Sequence, residues 1–277
     1  MAAEPRLMGA GQVRELLRDH GIRPSKWLGQ NFVIDPNTIR KIIDVADLNP
    51  SDEIVEIGAG CGSLTLGLVS AARRVVAVEV DPKLVEVLRQ VTSGVTNVEV
   101  VHADALELDL DALEMSKLVG NLPYNVAATL LLHVLESSAS IRQLTVMTQR
   151  EVGERLAAGP GSKVYGQTSV IVGFHADARL VGRVSRRAFF PEPNVDSVIV
   201  NVSRRPELPE VDPSLFGRVV RAAFSQRRKM LRGTLAPLVG GDVDEFLEAA
   251  GVDPSARPEA LGWEEFVGIT ARLAGNP

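Results

Sequence analysis

The chain has one cysteine, Cys61, in 277 residues. A lone thiol excludes an intramolecular disulfide framework and a multi-cysteine zinc site, and it fits a reducing, cytoplasmic compartment. Histidine is also sparse. His20, His102, His133 and His175 are scattered without ligand spacing, so no metal is expected. No run of eighteen apolar residues exists, and residues 126–132, the nearest approach, are far too few to span a bilayer. The first residues lack the apolar stretch of a secretory signal, so a cytoplasmic protein with no membrane partner is expected. Aromatic residues make up only 4 %, yet hydrophobic residues reach 45 % and charged ones 23 %. That balance excludes a disordered or fibrous chain. The length fits one large and one small domain.

Positive charge is in deficit overall, with a formal net charge of −5. The deficit is not evenly spread. Residues 181–241 hold eleven Arg or Lys against five Asp or Glu, and no acid lies between Asp212 and Asp242. A basic face on an otherwise acidic protein is the footprint expected for a polyanion partner, because Lys and Arg displace the counterions of phosphates. The bland alternative is a solvated helix face.

Period and punctuation predict helices over 12–20 and 37–46, then an alternation of elements. Strands are expected over 53–57, 74–80, 98–101, 117–120 and 144–149, with helices over 64–70, 82–91 and 127–136. Such alternation implies an α/β fold with a mainly parallel sheet. The stretch RRPELPEVDP, 204–213, is rich in proline and charge and reads as a linker. The expected division is therefore 1–206, an N-terminal arm plus the α/β domain, and 207–277, a small all-helical domain.

Glu56-Ile57-Gly58-Ala59-Gly60-Cys61-Gly62 lies between a predicted strand and helix. Glycines let a backbone turn sharply and approach a ligand closely. Glu79 ends the next strand, where an acid can accept both hydroxyls of a ribose. Asp104, after the third strand, is placed to accept from an adenine amino group. The Gly-x-Gly-x-Gly spacing departs from the dinucleotide pattern, and Glu56 is an unfavourable neighbour for a pyrophosphate. These features favour S-adenosylmethionine, which has no phosphate, over NAD.

Asn121-Leu122-Pro123-Tyr124 follows the fourth strand, at the edge where open α/β sheets bind ligands. Adenine N6 is a poor nucleophile because its lone pair is delocalised into the ring. Hydrogen bonds from N6–H to the Asn121 side chain and the Leu122 carbonyl favour the tetrahedral, nucleophilic nitrogen. Pro123 stiffens the turn, and Tyr124 offers a ring for the purine.

The motifs EIGAGCGSLT, VEVD, ADAL and GNLPYN occur in this order, with GQNF upstream and GPGSKVYGQTSV and AFFPEPNVDSVIV downstream. Together they resemble the ribosomal RNA adenine N6,N6-dimethyltransferase family, closest to its bacterial small-subunit (16S) members. The resemblance covers essentially the whole chain. It implies a Rossmann-like S-adenosylmethionine-dependent methyltransferase domain with a C-terminal helical domain. The implied reaction is dimethylation of two adjacent adenines near the 3′ end of 16S rRNA, in the small subunit or its precursor, with no obligate protein partner. It also implies that Gln30, Asn31 and Val33 cover the methyl donor, that Gly58 and Gly60 line it, and that Glu79 and Asp104 hold its nucleoside. Asn121 then serves donor and target, and Phe189 sandwiches the adenine against Tyr124. Phe190 is an adjacent candidate, and a core role for Phe189 is the alternative. Three departures stand out: Leu28 stands for the usual aromatic (after Trp27), Val33 for Leu, and Gln167-Thr168 for Arg-Leu.

The segment 222–232 matches the family's helical domain. Read as a helix, it makes Arg228 and Arg232 i,i+4 neighbours, and Arg221, Arg228 and Arg232 are the expected RNA-binding cations. Phe224, Met230 and Leu231 are expected in the core. Competing functions are a large-subunit rRNA adenine methyltransferase of the resistance type, a DNA adenine methyltransferase, and a non-catalytic small-subunit assembly factor. Intact Glu79, Asp104 and Asn121 argue against lost turnover.

Overall fold

The computed structural model describes residues 6–25, 29–226 and 229–275. Its elements, in chain order, are α1 (Ala10–Asp19), β1 (Phe32–Val33), α2 (Pro36–Val45), β2 (Glu53–Ile57), α3 (Thr65–Ala71), β3 (Arg74–Glu79), α4 (Pro82–Val91), β4 (Val98–His102), β5 (Lys117–Asn121), α5 (Ala127–Ser137) and β6 (Gln143–Gln149). Then follow α6 (Arg150–Leu156), α7 (Gln167–His175), β7 (Ala176–Val184), β8 (Phe189–Phe190), β9 (Ser197–Arg204), α8 (Pro213–Ala223), α9 (Leu231–Val239), α10 (Val243–Ala249) and α11 (Trp263–Leu273).

The chain divides into two compact units. The first holds residues up to Gly153 together with Arg179–Arg204, and the second holds Glu154–Ala178 with the residues from Arg205 onward. The boundary near 206 is close to this division, but a linear split does not anticipate that Glu154–Ala178 joins the helical unit.

In the first unit the sheet order is β4-β3-β2-β5-β6-β9-β7. The pairs from β4 through β6 are parallel, and β9 is antiparallel to β6. Burial explains the strands' composition. β2 and β3 are buried along almost their whole length because both faces are covered, whereas every residue of β4 at the edge is partly or fully exposed. Helix starts use one repeated device. Asp35, Asp81 and Asp212 each accept a backbone N–H with the side chain, and each is followed by proline at the first helical position. The order of strands reverses between β2 and β5, so their carboxyl ends open a crevice.

A two-residue ribbon spans that end of the sheet. Phe32 pairs with Phe190 and Val33 with Phe189 in antiparallel register. Directly opposed residues share a face. Val33 and Phe189 sink into the cluster of Ile39, Ile42 and Met147. Phe32 and Phe190 pack against Val13, Leu17 and Leu84 on the other side.

In the second unit aromatic rings hold the helices together. Phe174 stacks on Phe216 at 4.1 Å, Phe224 lies 6.0 Å from Phe266, and the Tyr165 hydroxyl donates to the Leu261 carbonyl at 2.7 Å. Segment 222–232 is not one helix. α8 ends at Ala223, with Phe224 as its cap, and α9 starts only at Leu231. Leu231 is buried as expected, Phe224 is partly buried, and Met230 is exposed, contrary to expectation.

The β2–β5 contact sets the width of the crevice. A Cβ placed on Gly120 meets the Ile57 carbonyl oxygen at 2.8 Å, and that backbone oxygen cannot rotate away. Gly120→Ala is expected to lower stability by about 1–3 kcal/mol, measured as a shift of the urea midpoint at unchanged slope.

Candidate active site

The glycine turn forms the floor of the crevice. Gly58 and Gly60 take φ of +74° and +58°, a left-handed conformation that favours glycine. This conformation turns the Gly60 N–H onto Glu79, whose Oε2 accepts it at 2.8 Å. Glu79 Oε1 accepts from the Val80 and Asp81 N–H groups, both at 2.9 Å. Burial pushes the Glu79 carboxyl above its usual range, against the pull of these three donors.

Asp104 is exposed beyond β4, and its Oδ1 accepts from the Leu106 N–H at 2.9 Å. Gln30 bridges the Ser25 N–H and Asp81 Oδ2. Asn31 bonds through its side chain to the Gly29 carbonyl, and its own carbonyl accepts from Asn121 Nδ2 at 2.9 Å. That last bond leaves Asn121 Oδ1 buried without a partner. Tyr124 donates to or accepts from Ser197 Oγ at 2.7 Å.

These groups enclose a cavity of about 270 Å³. Its lining includes Gln30, Asn31, Val33, Gly58, Gly60, Glu79, Asp104, Asn121, Leu122 and Tyr124, so the fold brings together all the expected donor residues. Phe189 does not line it. Its ring meets Tyr124 edge-on, 6.4 Å between centroids at 69°, and is almost wholly buried. Phe190 lies on the opposite face of the ribbon, partly exposed, with the Arg14 guanidinium 5.1 Å from its ring centre. Trp27, Leu28 and Arg228 lie outside the described residues.

The basic segment is less free than its sequence suggests. Arg221 is exposed on the last turn of α8, but Arg232 meets Asp244 at 3.5 Å. Arg204 turns inward to four carbonyls around the end of α5, and Arg205 lies over the Trp263 ring. In the sequence these cations count toward a basic surface, yet the fold holds them.

Two buried titratable groups in the cavity wall stand outside the expected set of site residues. Cys61 sits within the turn, and burial with the nearby Glu79 charge pushes its thiol up to about 12. It is inert packing. Glu56, at the end of β2, accepts from Thr65 Oγ1 at 2.6 Å. Burial raises its carboxyl to about 8, with the Glu79 charge adding to the effect against the Thr65 bond. The sequence signal for it is its place as an acid just ahead of the turn's glycines.

The Glu56 shift has a sign that can be measured. The unfolded chain ionises from its ordinary value of 4.5, while the folded protein holds the proton to about 8. Wild-type stability therefore falls as pH rises through that window. Glu56→Gln is expected to melt progressively higher than wild type between pH 5 and 8, with the gap levelling above 8. Each kcal/mol corresponds to about 2–4 °C in Tm. A gap that stays flat across the window would place the folded carboxyl in its ionised form.

A family model described as ribosomal RNA adenine dimethylase matches residues 23–274. The ribosomal RNA small subunit methyltransferase A of Leifsonia xyli subsp. xyli is 47 % identical, over 97 % of this chain and 99 % of its own. The protein of the same name from Streptomyces coelicolor is 46 % identical, over 95 % and 96 %. The crystal structure of 23S rRNA methyltransferase ErmE is 30 % identical with a TM-score of 0.69, covering 88 % of this chain and all of its own. A dimethyladenosine transferase from Plasmodium falciparum, 23 % identical with a TM-score of 0.78 over 88 % and 98 %, shares the fold. The expected Rossmann-like methyltransferase domain with a helical C-terminal domain is borne out. The chain belongs to the ribosomal RNA adenine dimethylase family.

Proposed function

We propose that this enzyme dimethylates N6 of two adjacent adenines near the 3′ end of 16S rRNA, on the small ribosomal subunit or its precursor, in the cytoplasm. The reading rests on one observation above the others: Asn121 Oδ1 is buried, has no partner, and lines the cavity at the end of β5. A buried acceptor without a donor costs about 1–3 kcal/mol, and an adenine N6–H removes that cost.

The residues present fit S-adenosylmethionine. Glu79 takes the ribose through Oε2, which keeps a lone pair beside its three backbone donors, and Asp104 takes the adenine amino group. Gln30, Asn31 and Val33 cover the site, with Gly58 and Gly60 beneath. When bound, the donor supplies an electrophilic methyl group on a sulfonium. Asn121 Oδ1 and the Leu122 carbonyl hold the target N6 hydrogens, which localises the nitrogen lone pair. Tyr124 stacks against the target base, its hydroxyl anchored on Ser197. Phe189 is the second ring of the clamp in this reading, which requires its ring to leave the buried edge-on contact with Tyr124 and turn towards the base. Arg221, Arg232 and Arg228 bind the RNA backbone, with Asp244 exchanged for phosphate at Arg232.

The relatives named for the small subunit favour 16S rRNA over the 23S rRNA for which ErmE is named. Incubation with tritiated S-adenosylmethionine and undermethylated ribosomes separates the two. Label is expected as N6,N6-dimethyladenosine in 16S rRNA, and label confined to 23S rRNA would replace the proposal.

Asn121→Ala is expected to keep donor binding measurable in calorimetry while transfer falls at least about 100-fold, since its bonds to N6 matter most in the transition state. Near wild-type turnover would remove Asn121 from this role. Tyr124→Ala and Phe189→Ala are each expected to lower transfer by about 1–3 kcal/mol, the worth of one base–aromatic stack, with S-adenosylmethionine affinity spared. Thermal melting beside the assay identifies a core role: Phe189→Ala would then lose activity only in proportion to lost fold.

A further inference from the structure

Two polar atoms in the wall of the cavity are buried without a hydrogen-bond partner: Asn121 Oδ1 and Ser63 Oγ. The first belongs to the target adenine. The second has no assigned task. Ser63 follows the glycine turn directly and is only 5 % exposed. The ordinary employment of a serine just before a helix is to cap it. Here α3 has no side-chain cap, so the Ser63 hydroxyl does not serve the helix. The neighbouring polar groups are also satisfied without it: Thr65 is bonded to Glu56, and Glu79 to three backbone N–H groups. A buried hydroxyl that bonds to nothing costs free energy unless a ligand meets it.

We infer that Ser63 Oγ binds the amino-acid tail of the methyl donor, donating to its carboxylate. The inference rests on the reading of this cavity as the donor site. Glu79 and Asp104 account for the nucleoside, and Asn121 stands where transfer occurs. The tail is the one part of the donor without a side-chain partner in that scheme. Among the described residues of the wall, Ser63 is the one other side chain with a buried polar atom that lacks a partner. Chemistry matches the assignment. The tail carries a carboxylate that must keep donor contacts once out of water, and a hydroxyl supplies one at no cost in net charge beside the acids Glu56 and Glu79.

Calorimetry on the full chain with two probes tests this. S-adenosylhomocysteine has the tail; 5′-methylthioadenosine keeps the adenosine and the thioether but lacks it. Ser63→Ala is expected to raise the Kd of S-adenosylhomocysteine about tenfold, as for loss of a hydrogen bond to a charged group, and to leave that of 5′-methylthioadenosine nearly unchanged. Should Ser63→Ala fold poorly by thermal melting, Ser63→Cys, close in size and a weak donor, is expected to show the same split. Equal losses for both ligands, or no loss for either, would overturn the assignment. If wild type binds neither ligand, the donor reading of the cavity fails first. If wild type binds both and only the split is missing, Ser63 alone is wrong.

Discussion

The hydrogen bond from Asn121 Nδ2 to the Asn31 carbonyl fixes which way an amide faces. With its donor end tied to the segment before β1, the acceptor end of Asn121 has one place to go, into the cavity. The same bond joins the two motif segments that flank the crevice, one ahead of the sheet and one at the end of β5. Remove it and the amide is free to rotate, so the two segments lose their common reference point. The Gly120 backbone, pressed against Ile57, keeps β5 at the distance this bond requires.

Around that amide the wall holds two buried acids, Glu56 and Glu79, whose carboxyls both lie above the usual range because they are out of water. They are handled differently. Glu79 is surrounded by three N–H donors, which favour its charge and fix its orientation. Glu56 has the single Thr65 hydroxyl as its hydrogen-bond donor, so it keeps its proton. One wall thus holds one acid among three backbone donors and another against a single hydroxyl.

The parallel part of the fold was legible because its causes are local. Asp-Pro pairs start α2, α4 and α8, and the buried strand β3 is a short apolar run between Arg74 and Glu79. Cavity-lining residues such as Gly58, Glu79, Asp104 and Asn121 were legible because a strand's carboxyl end fixes where its next side chains go. What stayed hidden depends on long-range contacts. β9 reads as an apolar run, but nothing near it says that it pairs antiparallel with β6. α7 is buried on nearly every side, so it lacks the stripe by which a helix is recognised, and its place in the second unit is decided by Phe216. The side of the β1·β8 ribbon taken by Phe189 follows from register alone. Charge counting overestimated the free cations because Arg204, Arg205 and Arg232 find carbonyls, a ring and an acid only after folding.

The Tyr124–Ser197 hydroxyl contact and the β1·β8 ribbon also impose an order on biosynthesis. Among the described residues, every one that lines the cavity lies between Gly29 and Leu130. On the translating ribosome this wall emerges well before Phe189 or Ser197 has been added to the chain. The nascent protein therefore has the whole wall in hand before its braces exist. The partners that brace this wall, Ser197 on the Tyr124 hydroxyl and Phe189–Phe190 on β1, come from later residues, which must return across a long sequence separation to dock, the slow kind of contact in folding.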